Sequence, residues 1–150
     1  MQWLVIADDD TLFSIPRLLG LLACYDPIKP IIIGERYGYG FSAEGSDGYE
    51  YPTGGPGMIY SRGAAKALLE DGCACPAVDS PDDMILGMCA RRIHLPMIHS
   101  DAFHQARPED YAEDYLARIP PISFHKHWMT DPYKIYMERL KVDGVSKEEL

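Results

Sequence analysis

The sequence predicts an α/β domain built on a mostly parallel central sheet, and three observations carry that expectation. Residues 3–7, Trp-Leu-Val-Ile-Ala, form a continuous apolar run that ends abruptly in Asp8, Asp9 and Asp10. A run of this kind fits a strand covered on both faces, as parallel strands are. Further short apolar runs, at 31–33, 58–60 and 95–98, are interleaved with stretches of helical period, the pattern of strands joined through helices. In such sheets function gathers at the carboxyl ends of the strands, where the three aspartates fall.

Composition narrows the class. The chain has 150 residues, 47% of them hydrophobic, and a net charge of −9. That length is one ordinary domain with enough material for a core. The acidic balance argues against nucleic acid or an anionic membrane as main partner and suits a protein that holds divalent cations. No run approaches the roughly 18 apolar residues of a membrane span. The chain enters its first strand at Trp3 without the basic segment or cleavage site of a signal peptide. A sheet whose first strand already ends in carboxylates has no preceding strand–helix units for the rest of a ligand. The expectation is therefore the C-terminal part of a longer protein. The cysteines, Cys24, Cys73, Cys75 and Cys89, contain no C-x-x-C pair, so a structural zinc site is disfavoured. Two disulfides in an oxidising compartment, or four thiols, are both open.

Adjacent carboxylates repel unless a cation or donors offset them. Asp8 and Asp10, as alternate residues, can share a hard cation such as Mg²⁺ or Mn²⁺; the alternative is an acidic turn capping the next helix. That helix is predicted over 14–25, with Ile15, Leu18, Leu19, Leu21 and Leu22 at helical spacing and Pro16 in its first turn. Pro27 and Pro30 end it, and Ile31-Ile32-Ile33 reads as a buried strand. Residues 34–57 are rich in glycine and tyrosine. Tyr37, Tyr39, Phe41, Tyr49 and Tyr51 favour order, as a hairpin lining a pocket or as a twisted surface hairpin with no ligand. Thr53-Gly54-Gly55-Pro56-Gly57 leads into a strand at 58–60, its glycines permitting close backbone approach. Ser61 opens a helix to about Glu70. Ser80 is the expected N-cap of a further helix, with Pro81 at its first position and Asp83 where a capping box places its acid. Asp82 and Asp83 therefore serve the helix N-terminus, but a carboxylate beside a second carboxylate also suits a general base. Residues 122–128 alternate as a strand, placing His125 and His127 on one face as metal ligands or as buried core histidines. Asp131-Pro132 starts a last helix to about Leu140.

Taken in order, the strand ending in D-D-D, T-G-G-x-G before a strand, S-P-D-D-x-x-x-G and the late S-F-H resemble the fringe-like glycosyltransferases. The resemblance runs over nearly all 150 residues, with residues 1–140 as the enzyme domain and 141–150 as a tail. It implies a GT-A fold that lacks the N-terminal part of its nucleotide-binding half. It implies an inverting β-1,3-glycosyltransferase that moves glucose from UDP-glucose to O-linked fucose on thrombospondin type 1 repeats. Other UDP-sugar donors, or a non-catalytic lumenal binding protein, are the alternatives. The resemblance assigns Mn²⁺ to Asp10 and Asp8 with His125, or else His104, completing the site. Asp8, Asp9, Gly54 and Gly55 would meet the donor. Asp83 would be the catalytic base, with Asp82 the second choice. The ending Lys147-Glu148-Glu149-Leu150 is similar to K-D-E-L retrieval signals, which implies the endoplasmic reticulum lumen and a retrieval receptor as a further partner.

Overall fold

The computed structural model describes residues 1–43 and 48–142; the tail signal at 147–150 lies outside the described residues. Its centre is a four-stranded sheet in the order β1 (Trp3–Ile6), β6 (Met58–Ser61), β3 (Ile32–Gly34), β7 (Met97–His99). Only β3 and β7 run parallel; β6 is antiparallel to both of its neighbours. The expected mostly parallel sheet is therefore corrected to a mixed one. The physical reason lies in burial. Ile33 and Ile59 feed one core with Leu18 and Leu22 of α1 (Ile15–Leu22). Ile32, Met58 and Tyr60 feed another with Ala64 and Leu68 of α2 (Arg62–Glu70) and with Cys89 and Ala90 of α3 (Asp82–Arg92). Cover on both faces writes a continuous apolar run whatever the strand direction.

A second, three-stranded sheet has β9 (Ser123–Phe124) at its centre. It pairs antiparallel with β2 (Leu12–Phe13) and parallel with β8 (Phe103–His104). Phe124 packs there with Leu116 of α4 (Glu113–Leu116), Ile135 of α5 (Pro132–Ile135) and Leu140 in the wider turns that follow α5. Asp131 caps α5 through a bond from Tyr133 N at 2.9 Å, and Ser61 caps α2 by accepting from Ala64 N at 3.0 Å, both as predicted.

The glycine- and tyrosine-rich stretch forms the expected hairpin, β4 (Arg36–Tyr39) with β5 (Tyr49–Pro52). The strand predicted over 122–128 is cut short. Lys126 has φ 64°, in the left-handed region, and this ends the alternation after His125. One disulfide joins Cys73 to Cys89, while Cys24 and Cys75 are exposed thiols.

Candidate active site

Two strand pairings build one corner of the molecule. In the β1–β6 register Ile6 faces Met58, so the aspartates leaving β1 meet the glycine turn entering β6. In the β2–β9 register Leu12 faces Phe124, so one step further along, Thr11 meets His125. The turn is tied down by its own bonds: Thr11 Oγ1 donates to Gly55 O at 2.7 Å, and Ser123 Oγ donates to Pro56 O at 2.6 Å.

His125 is buried, and its Nε2 lies 3.2 Å from Asp8 Oδ2 and 3.0 Å from Asp10 Oδ1. Its Nδ1 is 2.9 Å from the carbonyl of Gln105. A carbonyl only accepts, so Nδ1 carries the proton, and Nε2 is the atom turned to the two carboxylates. One oxygen from each aspartate and the imidazole nitrogen lie within 4.8 Å of one another. A histidine whose outer nitrogen is fixed by a carbonyl, with its inner nitrogen facing two carboxylates, is a donor set that fits a divalent cation. Asp9, between them, is exposed and takes no part in the cluster. The aspartates do not cap α1, whose first turn holds no acidic residue.

Behind His125 stands a chain of polar contacts that the sequence did not signal. Gln105 N donates to Glu35 Oε2 at 2.7 Å, and Thr53 Oγ1 donates to Gln105 Oε1 at 3.0 Å. Thr53 N in turn donates to the Glu35 carbonyl at 2.9 Å. Burial holds the Glu35 carboxyl above the usual carboxylate range, against the lowering effect of the Gln105 bond. Glycine at 55 is required by this packing: a Cβ there would overlap the His125 ring and come within 2.7 Å of Gln105 Oε1.

Asp83 reaches the same corner from the start of α3. Its Oδ2 accepts from Gly54 N at 3.1 Å and its Oδ1 from Met84 N at 2.7 Å. A Cβ on Gly54 would lie 3.9 Å from both Asp8 Oδ1 and Asp83 Oδ2, so this glycine separates the cluster from Asp83. Asp82 is exposed and accepts from Asp83 N at 2.9 Å. The predicted Ser80 cap is not formed: Ser80 Oγ accepts from Ala77 N, and Pro81 occupies the cap position.

His104, the alternative ligand, is elsewhere. It is buried in an aromatic nest, stacked on Phe124 at 4.9 Å and flanked by Tyr111 at 4.8 Å. Its Nε2 has no hydrogen-bond partner, and burial lowers its pKa to about 4. His127 is absent from the cluster as well.

A family model described as Fringe-like matches residues 1–143. This chain belongs to the fringe-like family. It is 56% identical over 137 residues to a Mus musculus protein named beta-1,3-glucosyltransferase, and 58% identical over 134 residues to a Homo sapiens protein of the same name. Those matches take in 91% and 89% of this chain but 27% and 26% of the relatives, so the chain spans about a quarter of their length. A human N-acetyllactosaminide beta-1,3-N-acetylglucosaminyltransferase 4 is 26% identical over 136 residues, covering 78% of this chain and 35% of that relative. The late histidine meets the D-D-D segment through β2–β9 pairing.

Proposed function

We propose that this chain carries the catalytic corner of an inverting β-1,3-glucosyltransferase. The donor is UDP-glucose, the ion Mn²⁺, and the acceptor O-linked fucose on thrombospondin type 1 repeats. The observation that carries the reading is the cluster of Asp8, Asp10 and His125 with Asp83 across Gly54. The two relatives above 50% identity bear the glucosyltransferase name, while the N-acetylglucosaminyl relative is at 26%, which favours glucose.

In this reading Asp8, Asp10 and His125 hold the ion. Bound Mn²⁺ would supply positive charge to offset the negative charge developing on the departing diphosphate. The chain's own residues do the rest. Gln105 and Glu35 keep His125 in the tautomer that presents Nε2. The Gly54–Gly55 turn leaves room for the donor sugar, with Asp9 at its rim. Asp83, held by Gly54 N and Met84 N, accepts the proton of the attacking acceptor hydroxyl at a free lone pair. Asp82 supports the backbone at Asp83 instead of taking that proton. General-base help of this kind is worth about 10²–10⁴ in rate. The Lys147–Leu150 ending supports retrieval to the endoplasmic reticulum lumen through a K-D-E-L-type receptor.

Calorimetry with this chain tests the reading. UDP-glucose binds only with Mn²⁺ present, and Asp10→Ala abolishes that binding. Asp83→Asn keeps binding but lowers transfer to a fucosylated repeat by about 10²–10⁴. Binding indifferent both to Mn²⁺ and to Asp10→Ala would overturn it.

A further inference from the structure

The tyrosines of the β4–β5 hairpin have no part in the chemistry described so far. In the hairpin register Tyr37 faces Tyr51 and Tyr39 faces Tyr49, which puts all four on one face of the ribbon. Their rings form a continuous row: Tyr37 to Tyr51 at 6.2 Å, Tyr51 to Tyr49 at 6.2 Å, Tyr49 to Tyr39 at 5.9 Å. Tyr37 and Tyr39 are 41% and 58% exposed. A contiguous aromatic row with an exposed edge is the kind of surface that lines ligand-binding grooves.

The row is joined to the candidate active site. Gly87 of α3 lies against Tyr51, so closely that a Cβ there would overlap the Tyr51 Cβ and come within 2.9 Å of Glu50 O. Gly87 is four residues beyond Asp83, one turn along the same helix face. The aromatic row therefore starts one helical turn from the carboxylate assigned to take the acceptor proton. Burial raises the phenol pKa of both Tyr49 and Tyr51, and the charge of Asp83 adds to it.

We propose that this face is the acceptor platform, on which the sugar presenting its hydroxyl to Asp83 stacks. The inference rests on the transferase reading above and adds the surface that selects the acceptor. The chemistry of tyrosine favours a sugar over an apolar peptide. The electron-rich ring face attracts the C–H-rich face of a pyranose, and each phenol can hydrogen-bond a sugar hydroxyl. An apolar peptide segment would call for aliphatic pockets, and the row is aromatic throughout.

Saturation-transfer NMR of methyl α-L-fucopyranoside with this chain tests the proposal, alongside calorimetry of UDP-glucose with Mn²⁺. The unaltered chain binds the fucoside through its ring protons. A Tyr37→Ala/Tyr39→Ala variant weakens that binding about tenfold, in keeping with two lost aromatic contacts, and retains donor binding. The Tyr37→Phe/Tyr39→Phe variant retains the rings and loses only the phenol hydrogen bonds, binds the fucoside more tightly than the alanine variant, and separates stacking from loss of the hairpin. Failure of the unaltered chain to bind the fucoside, or equal binding by the alanine variant, overturns the proposal. Loss of UDP-glucose binding with fucoside binding intact overturns the transferase reading instead.

Discussion

A methyl group added at Gly55 meets the His125 ring, whereas one added at Gly54 finds its nearest neighbours, Asp83 Cβ and Asp8 Oδ1, at 3.8 and 3.9 Å. The two adjacent glycines therefore differ in what they tolerate. Gly55→Ala pushes His125 off its carbonyl anchor, and Mn²⁺ affinity falls about 10–100-fold, the usual cost of disturbing a ligand's support. Gly54→Ala leaves ion affinity near that of the unaltered chain. Mn²⁺ titrations of both variants, followed by electron paramagnetic resonance, check this; equal loss in the two contradicts it. At this scale the acidic residues were legible, because three consecutive carboxylates demand an explanation from local sequence alone. Glu35 and Gln105 were not. They act through a backbone amide and a backbone carbonyl across 70 residues of chain, and no residue-type pattern records such contacts.

Among the elements, α3 carries Asp83 at one end and half of the disulfide near the other. Cys89 sits in the last turns of α3, and Cys73 just beyond the end of α2, a separation of 16 residues. Closing a loop of that length stabilises by about 3 kcal/mol in the chain-entropy account. In a Cys24→Ser/Cys75→Ser background, which leaves no other thiol to exchange, reduction lowers the urea midpoint accordingly; an unchanged midpoint contradicts the assignment. Helices α2 and α5 were legible from Ser61 and Asp131, since a cap bond is a local event. Strand direction was not, since burial on both faces leaves the same apolar signature in either orientation. The strand after Ile122 was over-read because a single left-handed residue, Lys126, breaks an alternation that the side-chain pattern continues. The tyrosine hairpin was foreseen as an ordered hairpin, but its register and its junction with α3 depend on Gly87, which no short-range pattern links to Tyr51.

For the molecule as a whole, acid is the sensitive side of one buried group. His104, ringed by Tyr111, Tyr115 and Phe124, titrates near pH 4 in the folded chain and near 6.5 when unfolded. Its folded pKa is depressed, so its stabilisation is complete above pH 6.5 and is lost as the pH falls toward 4, up to about 3 kcal/mol in all. Glu35, raised by burial, acts in the opposite sense. The readout is therefore the difference in urea stability between His104→Phe and the unaltered chain at pH 7 and pH 5. That difference shifts in favour of the variant at pH 5, and a constant difference contradicts the argument. The same global view bears on timing. Asp8 and Asp10 lie between β1 and β2, yet their partners come with β6, α3 and finally β9. Contacts of such sequence separation form slowly, after the entropy of closing long loops has been met. His125 follows Asp10 by 115 positions, so the site closes only once β2 and β9 have paired, and an ion held there would report a late step of folding and not guide an early one.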